Sequence, residues 1–384
     1  MRSTRLFRDF FASEKAGGLI LILATAISLV IANSALGSVY IAFWETTIFG
    51  LTLSGWINDA LMAVFFLLIG LELEREMYVG ELSDLKKASL PIVAAIGGMI
   101  VPASIFLSLN WNSEAQNGAG IPMATDIAFA IGILSLVGKR VPTALKIFLT
   151  ALAVIDDLGA ILVIAVFYTD SISMANLGIS LGIFGLLLVM NRLRIRHLLP
   201  YLIGGIAMWW FMHHSGIHAT ITGVLLAFAI PFGNGDEKST SYVLQHFLHQ
   251  PVAFLILPLF ALCNTALVFG PDVFQSVTTF ASLGIIIGLV IGKPLGIFSF
   301  AFFSSKMGWC RLPSEISWKQ LLGAGMLAGI GFTMSIFIAL LAYDDTKMVD
   351  LSKTAILIAS LISGICGLFF LKRVTPARQI KADN

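Results

Sequence analysis

The sequence predicts an all-α polytopic membrane protein with twelve transmembrane helices, and three observations lead to that fold class. The 384 residues are 58% hydrophobic and only 12% charged, with a mean hydropathy of +0.92, whereas soluble proteins are about 25% charged. Apolar runs long enough to cross about 30 Å of hydrocarbon recur along the whole length. The runs are continuous instead of alternating, which favours helices over a β-barrel.

The predicted spans differ in length, and several are shorter than the standard of about 17 to 25 residues. In chain order, their apolar cores are 17–34, 57–72, 90–109, 121–137, 147–168, 175–191, 199–212, 216–231, 252–269, 280–303, 321–342 and 354–371. The stretches between them are short, so residues 1–384 are predicted to form a single integral membrane domain.

The positions of Lys and Arg support this count, because positive residues near span ends are retained on the cytoplasmic side. With a cytoplasmic N-terminus, twelve spans place 21 of the 24 basic residues inside. Lys347 and Lys353 fall in outside loops, and Lys293 falls within a span. Both termini are therefore predicted to be cytoplasmic. The alternative, that the first span is a cleaved signal peptide, would invert every later loop.

The first outside loop is the one stretch with strand character. Residues 46–53 read Thr-Thr-Ile-Phe-Gly-Leu-Thr-Leu, which predicts a short external hairpin.

Five ionisable residues are predicted to lie at membrane depth: Asp59, Asp126, Asp156, Asp157 and Lys293. Each costs roughly 2.5 to 3.5 kcal/mol at a helix centre, so their presence favours a function. The formal net charge is +2 without a long basic run, and nucleic acid is therefore not a predicted partner.

Asp156 and Asp157 lie at positions 10 and 11 of the 22-residue apolar run from Ile147 to Tyr168, near the bilayer midplane. Two nearby carboxylates resist simultaneous ionisation and titrate as a coupled pair. Such a site can hold protons or a hard cation, and holding both at once is disfavoured, which is the minimal chemistry of a cation/proton exchanger. The alternative is a buried acid pair that only forms hydrogen bonds with neighbouring helices.

Two spans are predicted to be interrupted. In the run 121–137, Asp126 follows Pro122 and Thr125, and the run 321–342 contains four glycines. Interrupted helices in corresponding places of two repeats point to an ion site. Their half-helix ends carry partial charges, which an Asp at one crossing and a Lys at another would compensate. Ordinary glycine-rich packing remains an alternative for the second run.

The basic residue available for this compensation is Lys293, in the sequence Gly-Lys-Pro-Leu-Gly near the middle of the run 280–303. Pro294 removes a backbone donor beside it and predicts a local kink.

Six ordered motifs, spread over nearly the whole chain, carry a resemblance to a known family. They are Trp-Ile-Asn-Asp-Ala-Leu-Met-Ala-Val-Phe-Phe at 56–66, Ala-Thr-Asp-Ile-Ala-Phe-Ala at 124–130, Ile-Asp-Asp-Leu-Gly-Ala at 155–160, Ser-Gly-Ile-His-Ala-Thr at 215–220, Gly-Lys-Pro-Leu-Gly at 292–296 and Gly-Ile-Gly-Phe-Thr-Met-Ser at 329–335. With these motifs, the sequence resembles the NhaA-type bacterial sodium/proton antiporters.

The resemblance implies inverted-topology repeats that pair spans 3–5 with spans 10–12, in which spans 4 and 11 unwind and cross at mid-membrane. It implies that Asp156 and Asp157 bind Na⁺ transiently and bind the proton, with Asp157 as the primary ligand. Thr125 and Asp126 would line the crossing, and Lys293 would balance dipoles or pair with the aspartates.

The resemblance also implies what the protein does. It would be a secondary transporter, not an enzyme, that exchanges intracellular Na⁺ or Li⁺ for external H⁺ without a cofactor. Exchange would be electrogenic, would be activated at alkaline pH and would serve sodium and pH homeostasis. The protein would lie in the bacterial inner membrane as a homodimer that associates through the hairpin at 46–53.

Activation by pH requires titratable groups on the cytoplasmic side, and the end of the second span offers Glu72, Arg75 and Glu76 on one helix face. The resemblance favours a role in pH sensing or in an ion funnel, and a cluster facing lipid headgroups is the alternative.

On the periplasmic side, His218 is either a pH sensor or a hydrogen-bonded interface histidine. Gln245, next to His246, stands where the family would have an acid, which leaves the pH set point open. Asp59 either carries ions or stabilises helix packing.

Other functions fit less well. A passive sodium channel needs carboxylates but no adjacent proton-coupled pair, and another cation remains the main alternative substrate, since Li⁺ suits a small oxygen-lined site whereas K⁺ needs a larger cavity. The strings Tyr343-Asp344 and Gly233-Asn234-Gly235-Asp236 resemble those of intramembrane aspartyl proteases. They are predicted to lie in loops on opposite sides of the membrane, which excludes a catalytic dyad.

Overall fold

The computed structural model describes residues 2–138, 140–168, 172–233, 235–270 and 277–375, and most of them are helical. The helices are α1 (Arg2–Ala32), α2 (Gly37–Trp44), α3 (Leu53–Tyr78), α4 (Leu85–Asn110), α5 (Ile127–Val137), α6 (Thr143–Phe167), α7 (Met174–Arg192), α8 (Leu198–His213), α9 (Ile221–Ala229), α10 (Thr240–Asn264), α11 (Phe280–Lys306), α12 (Trp318–Ala328), α13 (Phe332–Ala342) and α14 (Thr346–Val374). Short 3₁₀ segments span Glu81–Ser83 and Glu114–Met123. Asn234 lies outside the described ranges, as do Lys139, Arg378 and Lys381, which were counted among the 21 cytoplasmic basic residues.

The helices agree with a polytopic membrane protein. In the described part of the chain, seven helices are long and apolar enough to cross a membrane. Up to ten spans result if each of three sharply bent helix pairs counts as one span. The α-helical membrane fold is therefore confirmed, and the count of twelve spans stays a prediction.

Several helix bounds differ from the predicted apolar cores. α14 begins at Thr346, so Lys347 and Lys353, which were both predicted to lie in outside loops, are part of a helix instead. α10 begins at Thr240, well before the predicted core 252–269. α1 is followed by α2 at an angle of 119°, inside the predicted outside loop. In α14 and α10, backbone hydrogen bonding continues through polar sequence, where hydropathy gives no signal. α2 is apolar, but its eight residues are too few to register as a span.

The predicted hairpin is present on the loop between α2 and α3. Thr47–Ile48 pairs antiparallel with Leu51–Thr52. Phe49 and Gly50, at φ 51° and 87°, form the tight turn with two positive φ angles that matches the twist of paired strands. The Trp56 indole donates a hydrogen bond to the Ile48 carbonyl at 2.8 Å, which anchors the hairpin to the start of α3.

Both predicted helix interruptions are present. The 3₁₀ segment Glu114–Met123 meets α5 at 43°, and α12 meets α13 at 47°. The kink predicted at Pro294 is a wide π-turn at Gly288–Gly292, which ends two residues before the proline. Because proline cannot donate to the helix ladder, a locally wider turn accommodates it.

Glycines allow the helices around the interruptions to pack closely. Gly97 on α4 and Gly296 on α11 face each other, and a Cβ atom on either one would collide with the carbonyl oxygen of the other. Such close backbone approach between small residues is typical of packed membrane helices. It holds α11, and with it Lys293, against the helix that precedes the first interruption.

Candidate functional site

The two interrupted helices meet at their breaks. The first break comprises residues 124–126 and the second comprises residues 329–331. The Asp126 amide donates to the Ile330 carbonyl at 2.7 Å, and the Ser335 hydroxyl donates to the Ile121 carbonyl at 2.7 Å. Backbone groups that each helix leaves unpaired at its break are thus satisfied by the other helix.

Asp126 compensates the positive ends of two half-helices. Its side chain caps α5 by accepting from the Phe129 amide at 2.9 Å. Its other carboxylate oxygen accepts from the Thr333 amide at 3.0 Å and from the Thr333 hydroxyl at 2.5 Å, in the first turn of α13. Helix N-termini carry partial positive charge, so this fully enclosed carboxylate stabilises both ends at once.

Lys293 lies at a helix C-terminus, whereas Asp126 lies at two helix N-termini. The side chain of Lys293 is fully buried in the middle of α11, and its ammonium lies 2.9 Å from Oδ2 of Asp156. The ammonium also donates to the carbonyl of Met123, the last residue of the 3₁₀ segment. A helix C-terminus carries partial negative charge, so Lys293 compensates both that end and the carboxylate.

The two aspartates of α6 differ in their surroundings. Oδ2 of Asp156 accepts from the Thr125 hydroxyl at 2.7 Å and from Lys293. Asp157 is fully buried, and no described residue donates a hydrogen bond to either of its oxygens. No group of three or more His, Cys, Asp or Glu side chains in the described ranges has the geometry of a metal site. A cation here would therefore meet one paired and one unpaired carboxyl.

Two tyrosines fix the 3₁₀ segment that leads to the first break. The Tyr168 hydroxyl donates to the Asn117 carbonyl at 2.6 Å, and the Tyr343 hydroxyl donates to the Ala115 carbonyl at 2.7 Å. The ordinary pKa of a tyrosine hydroxyl is about 10. Both hydroxyls therefore stay protonated donors at ordinary pH.

A cavity of about 30 Å³ lies between α3, α5 and α10. Glu72 and His249 line it at one end, with 3.6 Å between Oε1 and Nδ1, and Ile127 and Ala128 line it beside Asp126. The other lining residues are Phe65, Leu68, Ile69, Val252, Ala253 and Leu257. The cavity thus lies between Glu72 of the predicted cytoplasmic charge cluster and the first turn of α5.

The remaining members of that cluster have different environments. Arg75 lies over the Tyr242 ring at 5.3 Å, and this ring stacks on His246. Glu76 and Gln245 are half-buried. Glu74 is buried, and its Oε2 accepts no hydrogen bond from the described residues.

At the opposite end of α3, Asp59 pairs with a histidine that the sequence did not single out. Its Oδ2 lies 3.3 Å from Nδ1 of His213 at the end of α8. His218, in the segment between α8 and α9, also acts electrostatically on Asp59. The two predicted residues Asp59 and His218 are thus neighbours, and His213 joins them.

The structure brings four predicted residues, Thr125, Asp126, Asp156 and Lys293, into one network with the break, with Asp157 beside it. Sequence reasoning missed three partners. His249 lies one helical turn after Gln245, so the helical period would have placed it near the cluster. His213 directly follows a predicted apolar core, and Thr333 lies within a quoted motif, but nothing in the sequence indicates which acid either one contacts.

Comparisons with known proteins found similarity to Na⁺/H⁺ antiporters. Residues 8–371 match the family model described as Na⁺/H⁺ antiporter 1. A Na⁺/H⁺ antiporter NhaA of Flavobacterium psychrophilum is 63% identical over 384 residues, which is 100% of both chains. A Na⁺/H⁺ antiporter NhaA of Cytophaga hutchinsonii is 55% identical, over 97% of this chain and 96% of that one.

The fold is also shared with a distant solved structure. The sodium proton antiporter MjNhaP1 of Methanocaldococcus jannaschii, in its structure at pH 8, aligns over 97% of both chains with a TM-score of 0.53 and 12% sequence identity. At this identity, the likeness concerns the architecture alone.

Proposed function

The chain belongs to the Na⁺/H⁺ antiporter 1 family, and from that membership we propose that it exchanges Na⁺ for H⁺ across a membrane. It is a transporter and not an enzyme. The observation that carries the assignment of the site is the contrast between Asp156, which is paired with Lys293, and Asp157, which is buried without a described partner.

Na⁺ and H⁺ compete for the Asp157 carboxyl, and this competition makes exchange possible. The unpaired carboxyl holds either a proton or a Na⁺ ion, because protonation removes the charge that attracts the cation. Asp156 is the second carboxyl within reach, and Thr125 and Lys293 hold it in place. Na⁺ and H⁺ therefore occupy the site in turn, which couples the outward movement of one to the inward movement of the other.

Electrogenic exchange requires more protons to enter than Na⁺ ions leave. Asp157 offers one proton carrier, and the Asp156–Lys293 pair offers a second titratable unit in contact with it. Two carriers for one cation site support a net movement of charge in each cycle. The same site would accept Li⁺, whose small size suits carboxylate oxygens.

The membrane topology that we propose has twelve spans with both termini in the cytoplasm. The ten candidate spans are joined by α8 and by the nine-residue α9, and the Lys and Arg distribution fits this count. The inverted repeats would pair α4, the first interrupted span and α6 with α11, the second interrupted span and α14. In each repeat, the middle span is the interrupted one, which supports a crossing at mid-membrane.

Regulation by pH would act at the cytoplasmic end of α3. Glu72 and His249 lie 3.6 Å apart beside a cavity that is also lined by Ile127 and Ala128, the residues after Asp126. A change in their charge would alter the entrance to the site, and Arg75 and Glu76 belong to the same helix face. This arrangement supports an ion funnel with activation at alkaline pH. In a bacterial inner membrane, such a protein would serve sodium and pH homeostasis.

The hairpin between α2 and α3 would join two copies into a homodimer. Its tip carries Phe49, which is 93% exposed, beside Ile48 at 41%. Large apolar side chains at a loop tip are typical of surfaces covered by a partner. Residues 46–53 would therefore contact a second copy of the chain.

The test of function is cation-driven proton flux in proteoliposomes that contain the full chain. Na⁺ and Li⁺ are expected to dissipate an imposed pH gradient, and K⁺ is expected to have no effect. Asp157→Asn should abolish the response, while Asp350→Asn, an exposed aspartate near the start of α14, should retain it. Full exchange in Asp157→Asn would overturn the site, and Na⁺ flux without proton movement would indicate a channel.

A further inference from the structure

The wide turn at the start of α3 is not followed by a proline, whereas the other wide turns are. Of the three π-turns in the described residues, Val252–Ile256 ends two residues before Pro258, and Gly288–Gly292 ends two residues before Pro294. The third, Trp56–Leu61, belongs to a helix without proline. Such turns occur frequently at functional sites, and this one carries Asp59.

Contacts from neighbouring elements hold the turn instead. The Asn264 amide of α10 donates to Oδ1 of Asn58 at 2.7 Å. The Trp56 ring stacks on Trp209 at 5.9 Å, and Trp209 stacks on His213 at 5.7 Å. The column of rings orients the imidazole whose Nδ1 lies 3.3 Å from the Asp59 carboxylate.

The pair is open to water. The side chain of His213 is 28% exposed and that of Asp59 is 30% exposed, in contrast to the fully buried Asp157 and Lys293. An ion pair that faced hydrocarbon would be costly, so the exposed part of both side chains faces an aqueous region. In the proposed topology, that region is on the outer side of the membrane.

Few titratable groups act on Asp59. Among the described residues, they are His213 and His218. The segment Leu53-Ser54-Gly55 that precedes the turn contributes none, and α10 faces the turn with the uncharged amide of Asn264. Asp59 thus has two imidazoles as the source of compensating charge.

We propose that Asp59 and His213 form a proton-binding site on the outer side, separate from the exchange site at Asp156 and Asp157. This proposal rests on the proposed exchange function. With a proton on its imidazole, His213 pairs with the Asp59 carboxylate, which fixes the wide turn. When that proton is lost to external water, Asp59 loses its main countercharge.

A change in the wide turn is transmitted to the cytoplasmic side through α3. The helix runs without interruption from the turn to Glu72 and Arg75, so a change in the turn shifts the residues that line the cytoplasmic cavity. External protons therefore regulate the exchange rate in addition to serving as its substrate.

The test measures Na⁺ efflux from right-side-out vesicles at fixed internal pH, with external pH varied between about 6 and about 8. His213→Asn and Asp59→Asn should each change the ratio of rates at these two pH values by about threefold, which corresponds to a partly exposed ion pair. The double variant should add nothing further. His197→Asn is the matched control, because His197 is exposed and precedes the first residue of α8, at the opposite end of that helix from His213.

A second measurement keeps the pair testable even if exchange itself is lost. In protein labelled with ¹⁵N-histidine, the ring resonances of His213 should change in Asp59→Asn, and those of His197 should not. Unchanged His213 resonances would overturn the pair, as would His213→Asn vesicles that match the parent at both pH values. Failure of the exchange function would appear elsewhere, as full activity in Asp157→Asn.

Discussion

Asp156 and Asp157 are neighbours on α6, yet only Asp156 is bonded to other described residues. Lys293 and Thr125 both contact its Oδ2, and neither oxygen of Asp157 accepts a hydrogen bond within the described ranges. Adjacent helical residues point about 100° apart, so one carboxyl faces the lysine while the other faces a different part of the site. The structure thus separates two groups that look equivalent in the sequence.

This difference predicts that the two carboxylates contribute unequally to stability. Asp156→Asn leaves the Lys293 ammonium buried without its countercharge, which should cost about 3 to 5 kcal/mol. Asp157→Asn removes a charge that has no described partner, so the thermal stability should stay close to that of the parent. Thermal unfolding of the purified variants in one detergent makes the comparison. Equal losses in the two variants would contradict the assigned pairing.

Lys293→Ala should impair exchange, stability or both. Lys293→Ala removes the compensation of Asp156 and of the helix end at Met123, and we expect weaker exchange or a lower melting temperature. The double variant Asp156→Asn with Lys293→Met should recover part of the stability, because neither buried charge remains unpaired. A Lys293→Ala protein indistinguishable from the parent on both counts would refute the charge-compensation argument.

Thr333 should matter more than its size suggests. Thr333→Val removes a hydroxyl that donates to the buried Asp126 carboxylate at 2.5 Å, and the loss should be about 1 to 3 kcal/mol. Exchange should fall as well, because the bond joins the two helix breaks. Thr25→Val is the matched control, since the Thr25 hydroxyl bonds only to the Leu21 carbonyl of its own helix. Similar losses in both variants would indicate that the link between the breaks contributes little.

Much of the fold could be predicted because a membrane imposes strong constraints on sequence. Long apolar runs predicted the spans, and the glycines and Asp126 predicted both interruptions. The hairpin at 46–53 followed from strand-forming residues. The bend after α1 and the early start of α10 could not be predicted, because hydropathy reports only the surroundings of a helix and not the extent of its hydrogen bonding.

The sequence predicted which residues form the site, but not which of them contact each other. Asp156, Asp157 and Lys293 stand out because isolated charges are costly at membrane depth. The sequence does not say that Lys293 contacts Asp156 instead of Asp157, nor that His213 and His249 face Asp59 and Glu72. Those pairings depend on the rotation of whole helices, which tertiary packing determines.

Sodium should stabilise the protein in a pH-dependent way. A ligand that binds the folded state at about 100 times its Kd contributes about 2.7 kcal/mol, so Na⁺ should raise the melting temperature of the parent at alkaline pH. The effect should shrink as pH falls, because protons compete for the same carboxyl. Asp157→Asn should show no sodium effect at either pH. A sodium-dependent shift of the same size in that variant would place the cation elsewhere.

The hairpin permits a test that separates folding from association. Phe49 occupies the first turn position with φ 51°, a conformation that Asn adopts more readily than Phe. Phe49→Asn should therefore preserve or stabilise the hairpin while it removes the exposed ring from the tip.

If residues 46–53 join two copies, Phe49→Asn should lower the dimer fraction measured by light scattering in detergent. The hydrogen bond from Trp56 to Ile48 lies outside the substituted turn, so an unchanged Trp56 environment would verify that the hairpin still folds. Val39→Asn, which alters an exposed apolar residue on the adjacent α2, controls for a general loss of apolar surface. A dimer fraction that falls in Val39→Asn and not in Phe49→Asn would move the interface from the hairpin to α2, because the tip ring would then contribute no contact across the dimer.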